Sequence, residues 1–260
     1  MKAQPRTLVV TATYNELENL PRLTDEVFRL DLELQMLVVD DNSPDGTGRW
    51  CDRRAAEDPR FRVLHRPSKR GLGTATKAGF QYALDHDFEL VLVLDADLSH
   101  PPHSIPRLLA GMAGMPGMAG MPGEGDYDVM IGSRYVPGGR IEGWPRHRRW
   151  ISRCLNLYAR WWLGLQARDC SGSFRCYRCD LLRQIGLHNL RSRGYAYLEE
   201  LLWQAQRAGA RIGEVPITFS DRQFGETKIS TREALAAVLV LFRLGLRHRF
   251  PWSSPAHRRS

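Results

Sequence analysis

Over roughly the first ninety residues, short apolar, β-branched runs alternate with longer stretches in which apolar residues recur at helical spacing. The runs Thr7–Thr13, Met36–Val39, Arg62–Leu64 and Leu90–Leu94 predict strands, and Asn15–Arg29, Thr47–Ala56 and Thr74–Leu84 predict helices between them. The order β-α-β-α-β-α-β predicts an α/β fold with a parallel central sheet and right-handed crossovers. In open sheets of this kind a ligand sits beyond the carboxyl ends of the strands. Three polar clusters follow strands here, Tyr14-Asn15-Glu16, Asp40-Asp41-Asn42 and Asp95-Ala96-Asp97, and they are expected to converge.

Further along, two Met-Ala-Gly-Met-Pro-Gly hexads occupy 112–117 and 118–123, between a helix after Pro106 and a strand Val129–Ile131. Gly and Pro at this density predict a mobile surface loop. A basic loop Arg134–Arg149 then leads to a helix Ser152–Leu163 carrying Leu155, Leu157, Tyr158, Trp161 and Trp162. Aromatics beside arginines suit a membrane interface as well as a protein core. The segment Ala234–Leu246 is apolar but broken by Arg243 and followed by Arg247, His248 and Arg249. As a helix it spans only about 20 Å, short of the roughly 30 Å hydrocarbon core. It is expected to lie in the headgroup region or to pack on the core. The division that follows is a domain over 1–230, with the insert at 112–123, and a short apolar and basic C-terminal helix and tail over 231–260.

Composition changes this picture in two respects. With 260 residues, 43% hydrophobic and 25% charged, the chain is long and apolar enough for one large core, which excludes disorder and a minimal disulfide scaffold. The net charge of +8 is unevenly spread. Residues 1–139 hold 15 Lys and Arg against 20 Asp and Glu, or −5, and residues 140–260 hold 22 against 9, or +13. A basic C-terminal half calls for an anionic partner: a phosphorylated ligand, a membrane surface or a nucleic acid. Five cysteines, an odd number, and an N-terminus without an apolar signal core predict a reducing, cytosolic compartment. Cys176 and Cys179 form a lone CxxC near Cys170, which reads as buried thiols rather than zinc ligands.

Asp95 and Asp97 end a fully apolar strand, where paired carboxylates can share a hard divalent cation bound to a diphosphate. Asp40 and Asp41 close a second strand on the same edge, and a carboxylate there can accept hydrogen bonds from a nucleoside. Two acidic strand ends side by side repel each other unless a cation lies between them. They also argue against a nucleic-acid partner.

Several strings appear in consistent order: Tyr14-Asn15-Glu16, Val39 to Thr47, Arg66-Pro67 with Gly71-Leu72-Gly73, Asp95 to Pro101, Gly132 to Tyr135, Gly138-Gly139 and Gly225-Glu226-Thr227-Lys228. Together they resemble the dolichyl (polyprenol) phosphate mannosyltransferases, a branch of the inverting family 2 glycosyltransferases, over residues 7 to about 230. The resemblance implies a GT-A fold, GDP-mannose as donor, Mg2+ or Mn2+, and a polyprenyl phosphate acceptor at the inner, cytoplasmic face of a membrane. It implies that Tyr14, Glu16, Val39 and Asp41 hold the guanosine, that Asp95 and Asp97 hold metal and diphosphate, and that Ala96 contacts the nucleotide sugar through its backbone. Ser99 stands where some relatives carry a metal-binding Gln, and Ala12 where the family usually has Pro. Arg134, Arg222 and Lys228 would face the donor diphosphate and acceptor phosphate. Asp169, ahead of Cys170-Ser171-Gly172-Ser173-Phe174-Arg175, would orient the sugar or the acceptor-site arginines.

The chemistry stands beside that resemblance. A phosphate acceptor is already anionic, so the site needs cations more than a side-chain base. Arginine binds phosphate oxygens with a planar fork, which makes Arg134 and Arg140 candidates together with Arg222 and Lys228. Asp97 and Arg134, with Asp169 as the resemblance implies, are the expected catalytic set. A UDP-hexose-dependent undecaprenyl-phosphate glycosyltransferase is the alternative within the same superfamily. Many relatives carry C-terminal membrane helices, so this chain is expected either to lie at the interface or to borrow a separate membrane-anchoring subunit.

Overall fold

The structure, a computed structural model, describes residues 4–113, 126–192, 194–221, 239–246 and 249. Arg222, Lys228, the insert from residue 114 to 123 and the proposed boundary at residue 230 lie outside the described residues.

The strands are β1 (Thr7–Thr13), β2 (Leu34–Asp40), β3 (Phe61–His65), β4 (Leu90–Val93), β5 (Val129–Ser133), β6 (Arg140–Glu142), β7 (Arg175–Arg178), β8 (Ile212–Pro216) and β9 (Thr218–Ser220). The helices are α1 (Leu20–Phe28), α2 (Thr47–Glu57), α3 (Leu72–Asp85), α4 (Ile105–Met112), α5 (Arg146–Leu163), α6 (Cys179–Ile185) and α7 (Tyr197–Arg207), and residues 239–246 form a further helical segment. Among the described residues no helix is long and apolar enough to cross a membrane.

Seven strands form the main sheet in the order β3-β2-β1-β4-β7-β5-β8. All neighbours are parallel except β7, which runs antiparallel to both β4 and β5. Because both faces are covered, β1, β2 and β4 carry continuous apolar runs, and the alternation along them sorts side chains between two cores. Leu8 and Val10 of β1, Leu37 and Val39 of β2, and Val91 and Val93 of β4 enter the core under α3, α6 and α7. Val9, Met36, Val38, Leu90 and Leu92 enter the one under α1, α2 and α4. Helix α3 lies close on the sheet at Gly79, where a Cβ would stand 2.4 Å from Val10 Cγ1.

Several boundaries differ from the sequence expectation for identifiable reasons. The helix expected from Asn15 starts at Leu20. The amide N–H groups of Asn15, Glu16 and Leu17 donate instead to Ser43 Oγ, Thr47 Oγ1 and Asp45 Oδ2, which pins that stretch as a loop beside the β2–α2 connection. The expected basic loop Arg134–Arg149 contains β6, paired with β9, and the first residues of α5, which begins at Arg146 after Pro145. Proline is well placed just ahead of a first helical turn, whereas the Arg-His-Arg-Arg run hides the apolar period. The first residue of the insert, Met112, belongs to α4 rather than to a surface loop: it is buried with Leu108 one turn earlier. The five cysteines are free thiols, all buried except Cys154.

Candidate active site

The order of the sheet reverses at β1, between β2 and β4, and a cleft opens beyond the carboxyl ends of these strands, as expected at such a switch point. The cleft is lined by Tyr14, Glu16, Asp41, Asp95, Ala96 and Asp97. The three polar clusters therefore converge. The lining also includes Lys69, Gly71 and Tyr195. Gly71 belongs to one of the strings noted in the sequence, but Lys69 and Tyr195 were not singled out.

Asp40 and Asp41 are adjacent in sequence and differ in surroundings. Asp40 is held by Thr13 and Ser43: its Oδ1 accepts from both hydroxyls at 2.9 and 2.5 Å, and its Oδ2 accepts the Ser43 N–H at 3.1 Å. It is a structural carboxylate and does not line the cleft. Asp41 is buried in the cleft wall beside Arg66, with 3.1 Å between Oδ1 and Nη1. The alignment of that contact is not that of a hydrogen bond, so Asp41 Oδ1 is a buried acceptor without a hydrogen-bond partner. Burial pushes its carboxyl above the usual range, against the pull of Arg66. The repulsion expected between acidic strand ends is thus relieved at Asp41 by Arg66, with Lys69 also in the cleft wall. Lys69 Nζ lies 4.7 Å from the Tyr14 ring centroid.

At the end of β4 the chain turns sharply. Asp97 Oδ1 accepts from the N–H and the hydroxyl of Ser99, at 3.1 and 2.6 Å, and Leu98 between them has a φ of 59°. A non-glycine residue in that region is uncommon, and such strain is concentrated at functional sites. Ser99 is therefore engaged with Asp97 and is not among the cleft-lining residues. Asp95 Oδ1 accepts from Ser173 Oγ at 2.7 Å. His100, in the bend that leads to the next helical turn, is buried between Phe174 and Phe219, and its Nδ1 accepts the Asp95 N–H at 3.3 Å. Burial lowers its pKa, which keeps the ring neutral and able to accept there.

Arg134 and Asp169 form a buried pair away from the cleft wall. Asp169 accepts from Arg134 Nε at 2.8 Å, Nη2 at 2.7 Å and the Arg134 backbone N–H at 3.0 Å, and from the Gly172 N–H at 2.9 Å. Burial alone would raise the Asp169 pKa, but the Arg134 guanidinium and these hydrogen bonds outweigh it and hold the carboxyl below its usual range. The loop carrying Arg134 folds back so tightly that a Cβ on Gly139 would lie 2.7 Å from Arg134 backbone carbon.

Placement differs among the other expected residues. Val39 is wholly in the core, so only its backbone could reach a ligand. Arg140 is exposed on β6 and is not among the cleft-lining residues. Arg175 is fully buried, donating to the carbonyls of Leu198 and Cys170 at 2.8 and 2.5 Å, and ties the Asp169–Ser173 loop to α7. Its position in a Phe-Arg pair at the start of β7 was the only sequence signal for it.

Glu199, in the first turn of α7, titrates in an unusual range: burial pushes its carboxyl up to about 7. A carboxyl raised by folding contributes stability at low pH that is lost as pH rises towards the folded value. Glu199→Gln should therefore raise Tm relative to the parent increasingly from pH 5 to pH 8, as read by thermal unfolding across that series. A difference independent of pH would contradict this account.

The sequence pattern of glycosyl transferase family 2 matches residues 8–186. The chain is 44% identical over 249 residues to an undecaprenyl-phosphate mannosyltransferase of Micrococcus luteus, covering 94% of this chain and 96% of that one. It is 40% identical over 245 residues to a polyprenol monophosphomannose synthase of Mycolicibacterium smegmatis, covering 94% and 88%. Among solved structures, glucosyl-3-phosphoglycerate synthase from Mycobacterium tuberculosis in complex with UDP aligns with a TM-score of 0.65 at 18% identity, over 95% of this chain and 81% of that one. A mannosyltransferase from Pyrobaculum calidifontis in complex with GDP-Man and Mn2+ aligns with a TM-score of 0.57 at 18% identity, over 97% and 66%.

Proposed function

The chain belongs to glycosyl transferase family 2, with its GT-A fold, and from that premise we propose that it transfers mannose from GDP-mannose to a polyprenyl phosphate, giving polyprenyl-phosphate β-mannose and GDP. The observation that carries this reading is the cleft itself, which sets the buried Asp41 carboxylate opposite the Asp95 and Asp97 carboxylates along one sheet edge. The two relatives above, similar over nearly the whole chain, bear names that point to the same sugar and lipid class.

Asp41 Oδ1, a buried acceptor without a hydrogen-bond partner, suits the N–H or O–H donors of a nucleoside, and Tyr14 and Glu16 complete that end of the cleft. Asp95 and Asp97 offer hard carboxylate oxygens that suit Mg2+ or Mn2+. Asp95 and Asp97 are the residues that would hold it. Bound there, the cation supplies Lewis-acid stabilisation of the departing diphosphate. A phosphate oxygen of the acceptor forms the new bond to the anomeric carbon as the bond to the diphosphate breaks. The electron pair leaves with GDP, and in-line attack turns an α-linked donor into a β-linked product. The attacking oxygen is already anionic, so no proton has to be removed. Arg134, its guanidinium closed on Asp169, is the buried cation assigned to the acceptor end of the site, and Arg222 and Lys228 keep the phosphate-binding roles that the resemblance implies. The protein works at the cytoplasmic face of the membrane, held there peripherally or through a separate anchoring subunit.

Thermal unfolding with GDP or UDP, each with and without Mn2+, tests the donor, because a ligand that binds only the folded state raises apparent stability by about 2.7 kcal/mol at a hundredfold excess over Kd. The expected result is a metal-dependent rise in Tm with GDP and little with UDP. A shift with UDP alone would transfer the reading to a UDP-hexose donor, and no shift with either would overturn a nucleotide-sugar donor.

A further inference from the structure

Among the described residues the large apolar side chains left exposed fall on two elements, α5 and the segment 239–246. In α5 the side chains divide cleanly by helical angle. Ser152, Asn156, Ala159 and Leu163 recur every three or four residues and face the protein, with all but Ser152 buried. Trp150, Leu157 and Trp161, seven and four residues apart, lie on the opposite side, with Trp150 69% and Leu157 63% exposed. One flank of that outer stripe carries Arg146, Arg149, Arg153 and Arg160, and α5 contains no acidic residue. The other flank leads to Trp162, which stacks on Phe242 at 5.5 Å between ring centroids and donates from Nε1 to the Phe242 carbonyl at 3.1 Å. Leu239 and Phe242 extend the exposed apolar face from there, while Leu241 and Leu244 hold the segment to the core.

An outward stripe of Trp and Leu bordered by arginines is the pattern of a helix lying in the plane of an anionic headgroup layer, with aromatic rings at the interface and cations on the phosphates. The inward side of the same helix reaches the buried arginine centre. Asn156 Nδ2 donates to Ser171 Oγ at 3.1 Å, Asn156 Oδ1 accepts the Cys170 N–H at 2.8 Å, and Ser171 Oγ also accepts from Arg134 Nη2 at 2.9 Å. The Ser152 hydroxyl is hydrogen-bonded to the Tyr135 hydroxyl at 2.7 Å.

We propose that the outer face of α5, extended by residues 239–246, docks the protein on an anionic lipid layer, and that α5 thereby sets the depth at which the Arg134 centre meets a lipid-borne phosphate. The second half of this statement rests on the polyprenyl phosphate acceptor proposed above, and the first does not. Arginine density without any acid selects an anionic lipid surface over a second copy of this basic chain, which would face the same charge.

The test is the double variant Trp150→Glu/Leu157→Glu, whose sites are exposed and leave both cores untouched. Vesicles of phosphatidylcholine with and without phosphatidylglycerol are sedimented with parent and variant. Mannosyl transfer is measured to a polyprenyl phosphate embedded in the vesicles and to a short-chain prenyl phosphate free in solution. The parent should sediment with phosphatidylglycerol vesicles. The variant should partition at least about tenfold less, a change of 1.4 kcal/mol or more. It should lose transfer to the embedded acceptor by a similar factor and keep transfer to the soluble one. Vesicle binding unchanged in the variant, or absent in the parent, overturns the docking face, as does a parent dimer that the variant dissolves without any vesicle binding. Equal loss on both acceptors overturns the link to Arg134. If the parent transfers mannose to neither acceptor, the mannosyltransferase reading and the acceptor half of this proposal fail together, and sedimentation alone still decides whether α5 docks.

Discussion

Asp97→Ala should cut mannosyl transfer by at least about 10²-fold, the scale on which removal of one group stabilising developing charge is felt in kcat. Asp97 lines the cleft at the end of β4 and is one of the two carboxylates assigned to the metal and diphosphate. Its loss should also remove the Mn2+-dependent part of GDP stabilisation. The fold should survive, because the hydrogen bonds that Asp97 accepts from the N–H and hydroxyl of Ser99 lie within a local turn. Asp97→Asn separates the two roles of the side chain. It keeps an oxygen acceptor for the turn and discards the charge, so it should match Asp97→Ala in turnover while unfolding like the parent. Full activity in Asp97→Ala would remove the assignment outright.

The second large effect is on stability. Asp169 is fully buried and is the ion-pair partner of a nearly buried Arg134. Breaking a buried pair by deleting one partner strands the other charge, at a cost of about 3–5 kcal/mol. Asp169→Ala should lose stability on that scale in urea unfolding at pH 7. The pH dependence has a definite sign: a carboxyl held below its unfolded value stabilises above the ordinary carboxylate range, and that stability is lost as pH falls through the folded value. The gap between parent and Asp169→Ala should therefore narrow in strong acid and be complete at neutrality. Arg134→Lys keeps the charge but loses the fork that makes two parallel bonds to Asp169. It should slow transfer more than it weakens GDP binding. Parent-like stability in Asp169→Ala would show that the pair contributes little beyond the cost of burying it.

The sequence makes the sheet and the cleft readable to different degrees. Strands β1, β2 and β4 are legible because burial on both faces leaves each with a continuous apolar run, and the polar residues that follow mark the open edge. Asp41, Asp95 and Asp97 were found in this way. Strand β7 was not, since Arg175-Cys176-Tyr177-Arg178 has charged ends and its pairing with β4 and β5 is a long-range contact that no local pattern encodes. The start of α5 was hidden by its arginines. Lys69 and Tyr195 reach the cleft from loops, and His100, which accepts the Asp95 N–H, is packed by Phe174 and Phe219 from distant segments. The partner of Arg134 was legible as a candidate, but its geometry was not: the fork expected to reach towards phosphate is closed on Asp169, and only the fold reveals that.

The stretch from Asp169 to Ser173 touches both sides of this arrangement. At one end Asp169 and Ser171 grip Arg134, and at the other Ser173 holds Asp95 Oδ1. The residues proposed for leaving group and nucleophile are thus referenced to a single mount, as two lenses are to one rail, through a few backbone torsions. Retuning the enzyme towards another acceptor by grafting this stretch would misalign the donor end as well. Redesign has a freer hand on the outer face of α5, which can change while the rail stays where it is.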